Sequence, residues 1–201
     1  MGKLLREVII LLNVYGTYAN VRDSAWQVLI DYNIRSLPVS VVDIACASDI
    51  SIIKNTDVDE LKSSEVGASI FDGEKWYIVY DNTVSKERIR YTIAHELGHI
   101  FLGHPLKLGY HARTIDTDKP ETERQADMFA IRLLAPACVI WGLDLHSAEE
   151  IQKFFNISYS AAKARASRMQ ILYERNKFLL SGLERKVYAN FEEYIKTHKR
   201  G

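Results

Sequence analysis

The spacing of apolar and polar positions predicts helices through the first quarter of the chain. The apolar run from Val8 to Val14 is followed by charged residues rather than by a small-residue cleavage site, which favours a packed amphipathic helix over a secretory segment. A further helix is predicted over VRDSAWQVLIDYNI, and another within LPVSVVDIACAS, with Pro38 and Ser40 setting its start. This part of the chain is therefore expected to be helical.

The pattern changes to a period of two in the stretch GASIFDGEKWYIVYDN. Two β-prone runs, Ala68–Phe71 and Trp76–Tyr80, flank the pair Asp72-Gly73, which favours hairpin turns. The sequence therefore predicts a small antiparallel sheet.

Helical periodicity returns at Ser85 and continues to about Leu102, and a later helix is predicted from Glu121 to Leu134. The last third of the chain is helical in pattern, including a capping-box signature at SAEE. Helices around a small antiparallel sheet indicate an α+β fold. The predicted division is a helical extension at residues 1–24, a core at 25–145 and a C-terminal helical segment at 146–201 packed on that core.

Composition and charge argue against a protein that binds nucleic acid or membranes through its overall charge, and against one that spans a membrane. Apolar residues make up 47% of the 201 positions, enough for a well-packed core, and 26 basic residues balance 26 acidic ones. This balance offers no general attraction to nucleic acid or to an anionic membrane, and no segment is apolar enough to span one. Cys46 and Cys138 lie far apart among apolar neighbours, as reduced thiols of a cytoplasmic protein do.

The candidate chemistry lies in the stretch RYTIAHELGHIFLGH. His95 and His99 are four residues apart on a predicted helix, so both imidazoles lie on one face and can bind one metal ion. Glu96 completes the pattern HExxH, which is typical of zinc peptidases with the glutamate as general base. Zinc lowers the pKa of water from about 15.7 toward about 7 and polarises a carbonyl group.

A catalytic zinc site needs a third protein ligand. His104 follows His99 by five residues, whereas the extended motif requires six. In ETERQADMFAIRLLAP, Glu123 and Asp127 lie along the edge of an apolar stripe, where a carboxylate needs a compensating charge. Glu123 is therefore predicted as a ligand, and Asp127 as the acceptor that orients a ligand histidine. A buried ion pair with a neighbouring arginine is the alternative.

These motifs, in this order, resemble the ImmA/IrrE family of metallopeptidases, in which an HExxH helix precedes a helix of pattern E-x-x-A-[ND]-x-F-A. The upstream stretch NIRSLPVSVVDIA and the strand WYIVYDN are also similar, so that the resemblance covers about residues 25–171. Gln125 and Ala135 depart from residues that are common in the family, and neither is at a ligand position. The chain is nearer in length to the short ImmA-like members.

The resemblance implies a gluzincin-like site, in which His95, His99 and Glu123 bind Zn²⁺ and Glu96 is the base. It also implies a protein substrate, namely a helix-turn-helix repressor whose cleavage releases genes of mobile elements or stress responses. Direct binding of nucleic acid is not expected.

Two other functions stay open. The segment SAEEIQKFFNISYSAAKARASRMQIL has the form of a helix-turn-helix, with Lys163, Arg165 and Arg168 on its second helix, which would suit a DNA-binding regulator. The chain could also be a zinc-stabilised interaction module without peptidase activity, although Glu96 has no role in such a site.

Substrate contacts are less constrained by the sequence. An edge strand could pair with an extended substrate, and the candidate strand is Trp76, Tyr77, Ile78, Val79 and Tyr80. An interior strand is the alternative. Tyr110, His111 or His104 could donate a proton to the oxyanion, and spacing does not select among them.

Overall fold

The computed structural model of the chain describes residues 14–17, 20–105, 110–114 and 120–199. After a 3₁₀ turn at Val14–Thr17, the described helices are α1 (Val21–Asp31), α2 (Val41–Ala47), α3 (Asn55–Val58), α4 (Lys86–Leu102), α5 (Glu121–Leu134), α6 (Ala137–Gly142), α7 (Ala148–Phe155), α8 (Tyr159–Arg175) and α9 (Gly182–His198). The described strands are β1 (Ile50–Lys54), β2 (Glu65–Phe71), β3 (Trp76–Tyr80) and β4 (Tyr110–Thr114). The predicted α+β class is therefore confirmed.

Six of the described α-helices begin at a residue whose side chain caps their first turn, whereas α3, α5 and α6 have no such side-chain cap. The hydroxyl of Ser85 accepts a hydrogen bond from Arg88 N at the start of α4, and Ser147 and Glu150 form the predicted capping box of α7. The helix predicted over Val8–Val14 lies outside the described residues, apart from Val14 itself.

The sheet is mixed, with the strand order β1-β3-β2-β4. The predicted hairpin is confirmed, because β2 and β3 are antiparallel and the carboxylate of Asp72 accepts from the amides of Glu74 and Lys75 in the turn. The prediction of a purely antiparallel sheet is wrong, since β1 pairs with β3 in parallel. The period-two pattern did not identify β1, a strand of five residues that is separated from α2 only by Ser48 and Asp49.

Strand β3 lies inside the sheet, with β1 on one side and β2 on the other. The interpretation of Trp76–Tyr80 as an edge strand for substrate is therefore wrong, because both sides of its backbone are already paired. Among the described strands, β1 and β4 form the edges.

The core lies between the sheet and the helices, and α4 and α5 pack directly against each other within it. Its largest fully buried side chains include Phe101, Phe129, Phe155, Phe191, Leu97 and Leu133. Gly98 allows the two helices to approach, because a Cβ atom at this position would lie 3.2 Å from Ala126 Cα and 3.2 Å from Phe129 Cβ. The face of α4 that carries the histidines is thereby held against the first half of α5.

The C-terminal helices are joined to this core by hydrogen bonds from side chains to backbone carbonyl groups. Asn190 in α9 donates to Leu29 O in α1, and the guanidinium group of Arg90 in α4 donates to the carbonyls of Phe155 and Asn156. The domain boundaries predicted at residues 24 and 145 stay predictions. None of the helices in the described ranges is long and apolar enough to cross a membrane.

Candidate metal centre

Helix α4 brings His95 and His99 together on one buried face. Their Nε2 atoms are 3.0 Å apart and their ring centroids 4.8 Å apart, as expected for a spacing of four residues. The two side chains are at most 1% exposed. Two imidazoles so close, with their Nε2 atoms converging on one point, suit a shared metal ion.

Helix α5 adds the carboxylate of Glu123 at the same point. Its Oε2 atom lies 3.3 Å from His95 Nε2, and its Oε1 atom lies 3.2 Å from His99 Nε2. Burial alone would raise the pKa of Glu123, but its contacts with the two imidazoles outweigh burial and hold that pKa well below its usual range. Glu123 is therefore an ionised carboxylate, the form that binds metals.

These three side chains fit the requirements of a metal site, and their donor atoms lie close enough together to hold one ion. Donor atoms placed tetrahedrally about 2.0–2.1 Å from one zinc ion would be about 3.3 Å from each other. The three observed separations, 3.0, 3.2 and 3.3 Å, are close to that value. Two nitrogens and one carboxylate leave a position for water or substrate.

Asp127 lies one turn after Glu123 and contacts the opposite edge of the His95 ring. Its Oδ1 atom is 2.9 Å from His95 Nδ1 and also accepts a hydrogen bond of 2.9 Å from the hydroxyl of Tyr91. A proton held on Nδ1 leaves the lone pair of His95 Nε2 directed at the metal position. Sequence reasoning missed Tyr91, although its position four residues before His95 places it on the same helical face.

We expect Asp127→Ala to weaken metal affinity about 10- to 100-fold without removing the site, because His95 would lose the acceptor that orients it. Metal affinity is measured by competition with a chromophoric chelator. Asp43→Ala, which changes an exposed carboxylate on α2, serves as the control and should bind metal like the unaltered protein. Unfolding of Asp127→Ala would instead assign Asp127 a structural role, and unchanged affinity would remove it from the site.

Glu96 lies beside His95 and is fully buried. Strand β2 passes close to its carboxylate, since a Cβ atom at Gly67 would be 3.4 Å from Glu96 Oε1. Glu96 does not belong to the group of three donor side chains that converge on the metal position. This arrangement suits a group that acts on water or substrate rather than one that binds the metal.

Of the three residues considered for oxyanion stabilisation, only His104 has a described side chain. His104 lies behind His99, with the two Nδ1 atoms 2.9 Å apart, and its Nε2 atom is 3.0 Å from Gln125 Oε1. Burial lowers the pKa of His104, which favours its neutral form. The backbones of Tyr110 and His111 lie in β4, and their side chains are outside the described part of the structure.

The helix-turn-helix pattern corresponds to α7 and α8, joined at Asn156 in a left-handed conformation. Lys163 and Arg168 are exposed on α8, but Arg165 is buried and its Nε atom donates to Ala135 O. Arg165 therefore stabilises the end of α5, and the three basic residues do not form one exposed surface for DNA.

Comparison with known proteins bears on the same region of the chain. Residues 53–167, more than half of the sequence, match the family model described as Peptidase_M78, the IrrE N-terminal-like domain. The matched range includes α4 and α5, and therefore the three converging donor residues and Glu96. No curated protein matches the chain.

Proposed function

This chain belongs to the Peptidase_M78 family of IrrE N-terminal-like domains, and from that premise we propose that it is a zinc-dependent endopeptidase. Membership of this family indicates a metallopeptidase-type function. The single observation that carries the proposal further is the convergence of His95, His99 and Glu123 beside a buried Glu96.

In this proposal, His95, His99 and Glu123 hold the ion, and each neutral imidazole offers the lone pair of its Nε2 atom. When bound, zinc supplies a Lewis acid that acidifies water and polarises a peptide carbonyl. Glu96 takes the proton of the attacking water and later delivers it to the leaving amine. Its buried position keeps this exchange away from bulk solvent. Asp127 and Tyr91 keep His95 in the required orientation throughout.

We further propose that the substrate is a helix-turn-helix transcriptional repressor, whose cleavage releases genes of a mobile element or a stress response. The support for this proposal is the resemblance of the HExxH helix and the E-x-x-A-D-x-F-A helix to the ImmA/IrrE family, together with the family match.

The test is to incubate the purified protein with the helix-turn-helix repressor whose gene lies nearest its own in the source genome, and to measure the intact masses of the products. We expect two fragments that define one scissile bond, no cleavage in the presence of a chelator, and recovery when zinc is added back. A repressor that stays intact with the zinc-loaded protein would contradict the substrate assignment. Cleavage that persists after complete removal of metal would contradict the zinc mechanism.

A further inference from the structure

The end of helix α4 brings His104 back against His99. Gly103 adopts a left-handed conformation, with φ 67° and ψ 35°, which glycine enters without a Cβ clash. The chain therefore reverses, and the amide of His104 donates to the carbonyl of His99 over 3.0 Å. This turn explains why a histidine five residues after His99 contacts the back of its ring instead of joining the ligands.

The two rings meet edge to face, with centroids 4.9 Å apart and an interplanar angle of 72°. Their Nδ1 atoms are 2.9 Å apart, so one ring donates a proton and the other accepts it. This choice matters for the metal centre. If His99 donates from Nδ1, its Nε2 atom keeps the lone pair that a metal needs; if it accepts there, Nε2 carries the proton instead.

Gln125 determines the direction of this hydrogen bond. The amide nitrogen of Gln125 donates to Glu121 Oε1 over 3.3 Å. This contact orients the amide so that its oxygen faces His104 Nε2 at 3.0 Å. An amide oxygen only accepts, so His104 Nε2 carries a proton. In the neutral ring, His104 Nδ1 is then the acceptor, and His99 Nδ1 is the donor.

We propose that His104 is a positioning residue for the metal centre: held by Gln125, it accepts the Nδ1 proton of His99 and keeps His99 Nε2 directed toward Glu123. This inference rests on the proposed metal-binding function and extends it. The two ligand histidines are thus supported differently, His95 by the carboxylate of Asp127 and His99 by a neutral imidazole.

The test compares two variants at one position. His104→Leu removes the acceptor, whereas His104→Asn retains one, because the oxygen of an asparagine lies where histidine has Nδ1. We expect His104→Leu to raise the zinc dissociation constant about 10- to 100-fold, and His104→Asn to restore it to within a few-fold of the unaltered protein. Gln125→Leu, which leaves His104 in place without its partner, should give an intermediate value.

The matched control is His146→Leu, because His146 is an exposed histidine that pairs with Asp144 outside the metal centre. It should bind zinc like the unaltered protein. Equal losses in His104→Leu and His104→Asn would overturn the proposal, because they would show a packing effect. Unchanged zinc affinity in all three test variants would overturn it as well. If His104→Leu fails to fold, Gln125→Leu still tests the proposal, because unchanged zinc affinity in that variant would overturn it.

A second readout does not depend on peptidase activity. Nitrogen NMR of the zinc-loaded protein should show His104 protonated at Nε2, with its unprotonated Nδ1 accepting the Nδ1 proton of His99. Protonation of His104 at Nδ1 in the unaltered protein would overturn the proposal. A protein that shows the expected tautomer and binds zinc but cleaves no repressor would contradict only the proposed function.

Discussion

Replacing Glu96 by glutamine should leave the metal content and the melting temperature of the protein unchanged and reduce peptide-bond cleavage by at least about 10²-fold. The amide matches the carboxylate in shape and can still form hydrogen bonds, but it cannot accept a proton from water at neutral pH. Glu96 is fully buried next to His95, where the exchange of a carboxylate for an amide changes the charge but little of the packing. Metal content, thermal unfolding and repressor cleavage are measured on one preparation.

The control for this prediction is Glu192→Gln, which applies the same substitution to an exposed glutamate that pairs with Lys196 on α9. It should cleave the repressor like the unaltered protein. Undiminished cleavage by Glu96→Gln would contradict the general-base assignment, and another residue would then have to take the proton from water. Loss of metal from this variant would instead mean that Glu96 is itself a ligand.

Replacing His99 by alanine should remove most of the roughly one zinc ion expected per chain, and with it all measurable cleavage. The reason is geometric: His99 Nε2 is 3.0 Å from His95 Nε2 and 3.2 Å from Glu123 Oε1, so its loss leaves two protein ligands. Two ligands do not make a stable catalytic zinc site. Metal content after dialysis is measured by elemental analysis, with circular dichroism to show that the helices remain.

Glu123→Ala should have a similar effect, because it removes the carboxylate that contacts both imidazoles. His146→Ala, at an exposed histidine, is the control for both variants and should retain its zinc. Full metal occupancy in a folded Glu123→Ala protein would reject Glu123 as the third ligand. In that case Asp127 and His104 would be the next residues to substitute.

Much of the architecture could be predicted from local features of the chain. Helix α4 begins after a serine that caps its first turn, α5 ends just before Pro136, and the β2-β3 hairpin turns at Asp72-Gly73. These boundaries depend on hydrogen bonds and backbone preferences among residues a few positions apart, which a sequence records directly. The spacing of His95 and His99 belongs to the same class, because a helix converts four residues into one face.

The placement of Glu123 was predictable for a different reason. A carboxylate at the edge of an apolar stripe requires a compensating positive charge, which either a metal ion or a neighbouring arginine could supply. The periodicity of α5 identifies the face that carries Glu123 and Asp127, but not the element that this face meets. The packing of α5 on α4 at Gly98 supplies that information and brings the carboxylates to opposite sides of the His95 ring.

Other features depend on contacts between distant segments and on reversals of the chain, and no local pattern encodes them. The parallel pairing of β1 with β3 places Trp76–Tyr80 inside the sheet, although its sequence suits an edge equally well. The burial of Arg165 depends on the end of α5, thirty positions away in sequence. His104 joins His99 and Gln125 because one left-handed residue turns the chain back on itself. Periodicity shows which residues share one face of a helix or strand. Which element packs against that face is decided by the packing free energy, and this is summed over contacts throughout the core.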